Sequence, residues 1–306
     1  MRITGDLAEV LADVRVLELA TLGRNGGPRL RPMAGAWDPE SQRIIITTPL
    51  AYAQKVREVR RNNRVAVLFS DFTGSGLSGR GPVLVQGFAE APDIVAAPQD
   101  LPEYWRELLR RTPGMADEFA SEEARAAMDW YYLRLPVFVT PQWVHELEPV
   151  VAGGAAEPYP PQGAPVSEQV KDALGRYPSA VFAAADERGH PYAIRALISE
   201  GETDAELRVR PANAFTGPGG PAGLLWHRHD GTPAEMLSLS VTGPVTGIGR
   251  DWRLRAERIP GASVEAPETE EAWVADGRRR TEEYLRRSGH TTPAINWDAL
   301  AALRSA

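Results

Sequence analysis

The stretch from Pro28 to Asp71 changes its hydrophobic period repeatedly, and this constrains the fold more than any bulk property of the chain. RLRPMAGAW alternates like a half-buried strand, Asp38-Pro39 interrupts it, RIIITT resumes it, the following residues take helical spacing, and RVAVLFS returns to a strand. Strand, strand, helix, strand is the order of an α+β chain built mainly on antiparallel β-structure. Thr47-Thr48-Pro49 reads as the helix start, a Thr cap followed by Pro in the first turn. Lys55 then falls on the second turn, with Tyr52 and Val59 as its i−3 and i+4 neighbours, at the edge of the buried stripe.

Lys and Arg together number 34, yet only Lys55 and Lys171 are lysine. A chain that writes Arg almost everywhere and Lys here points to a need for a compact ammonium. A cation one turn beyond a hydroxyl-rich helix start suits a phosphate group. The competing reading is a solvated lysine on an amphipathic helix, and spacing alone leaves both open.

The second half repeats the order of the first. Pro28 recurs as Pro191, 163 residues on, and the same offset carries Leu7 to Val170, Leu11 to Leu174 and Leu19 to Phe182. Apolar positions that coincide along both a helix and a strand read as an internal duplication. The copy diverges at RPANAFTGPGGPAGLLWHRHD, where Pro211, Pro218 and Pro221 with their neighbouring glycines forbid a useful helix, so the counterpart of Lys55 is lost. LLWHRHD stands for VAVLFSD and SLSVTGPVTG for VLVQGFAE, with Gly243 answering Gly87. One competent site and one degenerate site are expected. Between the halves, LPEYWRELLRRTP and SEEARAAMDWYYLRL read as helices and VFVTPQWVHEL as a strand. The Gly, Pro and Ala-rich run from Ala152 reads as a linker. The expected division is a first domain over 1–150, a linker over 151–165, and a second domain over 166–306 that carries a terminal helix from Pro267 to Gly289.

Composition narrows the function classes. At 306 residues two domains are expected, and 43% hydrophobic with 25% charged residues is ordinary for a globular protein. The absence of cysteine excludes a disulfide framework and cysteine-held metal, and fits a cytoplasmic location. No basic leader followed by an apolar run is present, and no stretch approaches the roughly 18 apolar residues of a membrane span. The net charge of −7 argues against general nucleic-acid binding, and Arg278 to Arg280 read as a solvated helix face.

His227 and His229 share one face of a strand and are the candidate metal ligands. Two ligands are too few for a metal site, and hydrogen bonding into the interdomain interface is the preferred reading. Trp105, Trp130, Tyr131 and Tyr132 in the middle helices read as core, with a substrate pocket as the alternative.

The sequence blocks GGPRLRPM, IIITTPLAYAQK, VREVRRNNRVAVLFSD and VLVQGFAE, in that order, resemble the pyridoxamine 5′-phosphate oxidase-like split-barrel superfamily, which includes flavin- and deazaflavin-dependent oxidoreductases. The resemblance covers roughly residues 14–148. It implies two split β-barrels in tandem, packed as an intrachain pseudo-dimer with a homodimer also open, and a flavin in the groove between them. It implies that Arg31, Pro32, Met33 and Ala34 line the flavin, and that Thr47, Thr48, Gln54 and Lys55 hold its phosphate. Gln54 stands where the oxidases proper often carry Arg, and Pro82 where many relatives place a flavin-bonding Gln. Ala36 stands where they place a substrate-phosphate Lys, which argues against vitamin B6 oxidation. FMN is the implied cofactor, with F420 as the alternative and haem behind both. The implied activity is hydride transfer to or from a small organic substrate; the alternative is a non-catalytic flavin- or haem-binding protein.

Overall fold

The computed structural model describes residues 2–151, 163–203, 205–232, 236–261 and 269–304. The first half opens with α1 (Asp6–Asp13) and β1 (Val16–Leu22), then β2 (Pro28–Met33), β3 (Gly35–Asp38), β4 (Arg43–Pro49), α2 (Gln54–Arg61), β5 (Arg64–Asp71) and β6 (Val83–Glu90). Two further helices, α3 (Pro102–Arg111) and α4 (Glu122–Tyr132), precede the long β7 (Arg134–Glu146). The strands form one antiparallel sheet in the order β2-β1-β5-β6-β7-β4-β3. Its two edge strands are consecutive in sequence and joined only by Ala34, so the sheet has to roll until its edges approach each other. The split therefore lies at Met33, Ala34 and Gly35.

The second half runs α5 (Val166–Arg176), β8 (Ala180–Ala185), β9 (Pro191–Glu200), β10 (Glu206–Pro211), β11 (Gly220–Arg228), β12 (Leu237–Ile248) and β13 (Asp251–Arg255), then α6 (Glu270–Ser288) and α7 (Trp297–Ala302). Here the barrel is closed, in the order β10-β13-β12-β11-β8-β9. The difference traces to one strand. β9 runs unbroken where the first half has β2 and β3, and it pairs with β8 along one part and with β10 along the other. The first half carries Pro32 where the second carries Arg195, and a proline supplies no N–H to a ladder. No helix forms between β10 and β11, as the prolines there require.

Both faces of the first sheet are buried. On β5, Val65, Val67 and Phe69 point into the first barrel, while Ala66 and Leu68 join Ala20, Leu30 and Leu84 in a core shared with the second barrel. The contact is reciprocal: β2 packs on β11 and β9 packs on β5, the pattern of a two-fold interface made within one chain. Ladder partners put Leu224 where Val67 sits and His227 where Ser70 sits. The expected equivalence of LLWHRHD with VAVLFSD is thus shifted by two residues, a shift that preserves the face of every side chain. Gly87 and Gly243 do occupy matching places, since a Cβ on either would collide with a carbonyl oxygen of the adjoining strand, that of Thr140 or of Arg255.

The terminal helix departs from the expected organisation. It begins at Glu270, capped by Thr269 accepting from the N–H of Ala272, and ends at Gly289 in the left-handed conformation that favours glycine. Pro267 and most of the linker lie outside the described residues. α6 does not stay with the second barrel; it packs on the Leu50–Tyr52 turn and on α4 of the first half, with Gly277 seated against the Trp130 ring. Among the described residues no helix is long and apolar enough to cross a membrane.

Because the chain bulges between Gln86 and Gly87 with the Thr140 carbonyl against Gly87, Gly87→Ala has to force the β6–β7 ladder apart. It is expected to lower stability by about 1–3 kcal/mol, read from the urea midpoint of the full chain.

Candidate functional site

Beneath the split lies a cavity of about 580 Å³, bounded by the barrel on one side and by the helices on the other. Met33, Ala34, Thr47, Thr48 and Lys55 come from the barrel side. α3, α4 and the turn at Pro113–Phe119 form the helical side, and α6 adds Trp273. The helical layer holds because β4 alternates: Ile44 and Ile46 enter the barrel core, while Ile45 faces outward under Tyr104 and Trp105.

Lys55 is buried, and its Nζ donates to Thr48 Oγ1 at 2.7 Å. The Thr48 hydroxyl passes the hydrogen bond on to the Tyr52 carbonyl at 3.1 Å. Among the described residues no carboxylate pairs with this ammonium. Burial, reinforced by the charges of Arg31 and Arg134 and only partly offset by Glu58, lowers its pKa to about 7. A second cation lines the same cavity. Arg134 is buried at the start of β7, its guanidinium 4.2 Å from the centroid of Tyr131 and 5.0 Å from that of Trp105, and its Nε has no hydrogen-bond partner. The buried Thr47 Oγ1 is likewise without a hydrogen bond of good geometry. Two desolvated cations and an orphaned hydroxyl are costly together unless something anionic completes them.

The cavity is also closed by a contact across the chain: Trp273 Nε1 donates to the Tyr52 hydroxyl at 2.9 Å. At the opposite end Tyr132 donates to Glu118 Oε2 at 3.3 Å, and burial raises the Glu118 pKa.

The eight residues expected at a cofactor do not form one cluster. Met33, Ala34, Thr47, Thr48 and Lys55 share the cavity just described. Arg31, Pro32 and Gln54 line a different one, about 690 Å³, on the far side of α2 and against the second barrel. Arg31 is also committed: it donates to Glu58 Oε2 at 2.9 Å and Oε1 at 3.3 Å, and Gln54 Nε2 donates to the same carboxylate at 3.0 Å. Burial pushes Glu58 up, but Arg31 with the hydrogen bonds from Thr21 and Gln54 outweighs it and holds the carboxyl below its usual value. Glu58 thus neutralises the arginine expected to meet a cofactor, and sequence spacing gives no sign of it. The Thr cap is also corrected. A short 3₁₀ turn, Leu50–Tyr52, intervenes, α2 begins at Gln54 without a side-chain cap, and Lys55 stands in its first turn.

Arg134, Tyr52, Tyr104, Glu118 and Trp273 were not expected. Arg134 follows directly on Tyr131 and Tyr132 in YYLRL, a cation set beside rings, and this was the available signal. Of the four aromatics flagged, Tyr131 lines the cavity whereas Trp105, Trp130 and Tyr132 are buried behind it.

His227 and His229 lie in the junction between the barrels, their rings parallel and 6.3 Å apart. His227 Nε2 is 2.8 Å from Glu18 Oε1, which also takes a hydrogen bond from Arg195 Nη2 at 3.2 Å and one from Ser70 at 2.5 Å. His229 Nε2 faces Asp71 at 3.5 Å. Among the described residues no group of three or more metal-ligating side chains converges.

Comparison with known proteins adds a family. Residues 3–133 match the sequence family described as pyridoxamine 5′-phosphate oxidase. No curated protein matches the chain. Among solved structures, a conserved hypothetical protein of Mycobacterium tuberculosis is 23% identical over 51% of this chain and 96% of its own, with a TM-score of 0.35. An F420 reductase is 22% identical over 47% of this chain and 98% of its own, TM-score 0.34. The haem storage protein HutZ of Vibrio cholerae is 14% identical over 48% and 95%, TM-score 0.32.

The Lys55 pKa carries a stability consequence. Its folded value of about 7 lies below the ordinary 10.5, so above pH 7 the unfolded chain holds a proton that the folded chain has lost. The contribution is fully present above pH 10.5 and vanishes as pH falls through 7. Between these limits the ligand-free protein gains up to about 1.4 kcal/mol per pH unit from this group. Lys55→Met is expected to flatten that slope, measured by urea unfolding at pH 7 and pH 9.

Proposed function

We propose that the chain, whose residues 3–133 match the pyridoxamine 5′-phosphate oxidase family, is an oxidoreductase that holds FMN, or the deazaflavin F420, in the cavity beneath the split. The observation that carries this reading is the pair of buried cations, Lys55 and Arg134, left without an ion-paired carboxylate among the described residues and set beside aromatic walls. A phosphorylated planar coenzyme supplies what these residues lack: an anion for the cations, an acceptor for the Thr47 hydroxyl, and a ring for Tyr104 and Tyr131 to pack on.

When bound, such a coenzyme contributes hydride transfer. The chain then has to position, neutralise and exclude water. Lys55, fixed by Thr48, and Arg134, fixed between two rings, are held in place before any ligand arrives, so little side-chain entropy is lost on binding. Met33 and Ala34 form the edge of the cleft, and Trp273 with Tyr52 closes its far side. Haem is the weaker reading, because none of the five histidines lines the cavity.

The organisation proposed with it is a tandem pair acting as an internal pseudo-dimer. The closed second barrel, lacking any counterpart of Lys55, acts as a wall and as the carrier of α6. The work is assigned to the cytoplasm and the substrate to the small organic molecules.

The test is equilibrium binding of FMN and of F420, followed by quenching of tryptophan fluorescence. Lys55→Ala is expected to weaken the bound coenzyme by about tenfold to a hundredfold, the loss of one charge-assisted hydrogen bond. Lys171→Ala, an exposed change on α5, is expected to have no effect. A chain that takes up neither coenzyme overturns the reading. Above pH 7 binding of the phosphate is expected to draw a proton onto Lys55, so affinity falls as pH rises from 7 to 9 in the parent and not in Lys55→Ala.

A further inference from the structure

Lys55 has a chemistry that does not depend on a coenzyme. Among the described residues its buried Nζ has one hydrogen-bond partner, Thr48 Oγ1 at 2.7 Å. An ammonium carries three N–H donors and accepts nothing, so in this position two of them would stay unsatisfied away from water. A neutral amine fits better, with one N–H given to Thr48 and a lone pair left over. Thr48 cannot donate to that lone pair, because its own hydroxyl hydrogen goes to the Tyr52 carbonyl at 3.1 Å. The surroundings act in the same direction. Burial, Arg31 and Arg134 oppose the protonated form and Glu58 alone favours it, which leaves about half of the amine neutral at pH 7.

A free lone pair on a desolvated primary amine is a nucleophile for a carbonyl carbon. The walls of the cavity select which carbonyl compound. Tyr104, Tyr131 and Trp273 offer ring surface. Arg134, the ladder partner of Pro49 beside Thr48, keeps an Nε without a hydrogen-bond partner, and its charge is felt at Lys55. Glu118 lines the same cavity but takes its hydrogen bond from Tyr132.

We infer that Lys55 of the coenzyme-free protein captures aromatic aldehydes bearing an anionic group, forming an imine at Nζ with the anion directed to Arg134. The amine nitrogen adds to the carbonyl carbon and one of its hydrogens passes to the oxygen. The carbinolamine then loses that hydroxyl, with the second nitrogen hydrogen, as water. A C=N bond replaces C=O, nothing is oxidised or reduced, and no further reactant is consumed. The inference stands apart from the proposed function: the phosphate of a bound coenzyme draws a proton back onto Lys55 and removes the nucleophile, so the two occupants exclude each other.

The chain suits the test because Lys171, exposed on α5, is its one other lysine. The full chain, dialysed free of coenzyme, is incubated at pH 7 with 4-formylbenzoate and sodium cyanoborohydride, whose hydride reduces the imine to a stable secondary amine. Peptide mass spectrometry then locates the label. Lys55 is expected to be labelled at least about tenfold faster than Lys171. 4-Formylbenzamide, the uncharged counterpart, is expected to label Lys55 at least about fivefold more slowly than 4-formylbenzoate. Arg134→Gln is expected to erase that difference, and should the variant not fold, the two aldehydes compared on the parent chain decide the point. Saturating FMN or F420 is expected to protect Lys55 and leave Lys171 unchanged. Lys55 labelled no faster than Lys171, or equally fast by both aldehydes, overturns the inference. A chain that is labelled at Lys55 yet binds neither coenzyme loses the proposed function and keeps this one. A chain that binds a coenzyme but leaves Lys55 unlabelled when empty keeps the function and loses the imine.

Discussion

The single-residue joint between β2 and β3 sets the geometry of the first half. Strands at opposite edges of a seven-stranded sheet are adjacent in sequence, so the sheet must curl, yet Ala34 leaves no span of paired backbone with which to close it. The second half has one continuous strand in that place and closes completely. A closed barrel of this size is filled by its own side chains; a split one has a mouth. The cavity, its hydroxyls and its cations are arranged around that mouth.

What makes the mouth chemically specific is desolvation. Lys55 and Arg134 are held out of water by different means, one by a threonine hydroxyl and burial under the helical layer, the other by two aromatic faces. Among the described residues neither is given a carboxylate. On the other side of α2, Arg31 is given one, Glu58. The same short helix therefore supplies the carboxylate that neutralises a cation of β2 beside one cavity and an unsatisfied cation to the other.

The two halves depend on each other through a buried polar junction as well as an apolar one. Glu18 and Arg195, 177 residues apart, meet with His227 and Ser70 where the two sheets face each other, and small side chains such as Ala20 and Ala66 let the sheets approach. A buried pair of this kind adds little net stability but strongly disfavours other registers, because any slip leaves a charge unpaired in a dry interface. Held in that register, the second barrel sends α6 back across the first, where Trp273 reaches Tyr52. The C-terminal helix thus belongs in space to the half from which it is most distant in sequence.

Much of this was legible in the chain itself. The alternation of RVAVLFS determined its strand, the prolines after Pro211 determined the lost helix, and the rarity of lysine marked Lys55, because period, backbone chemistry and residue choice are local properties; RLRPMAGAW, whose alternation reads as one strand, is instead parted at Ala34 into β2 and β3 at opposite edges of the sheet. Tertiary structure alone decided that Glu58 would claim Arg31 and Gln54, that Thr48 would serve Lys55 rather than cap a helix, and that Arg134 would become the second cation of the site. Those outcomes depend on which side chains are brought within a few ångströms when a sheet curls and a distant helix returns, and no spacing along the chain encodes a distance across it.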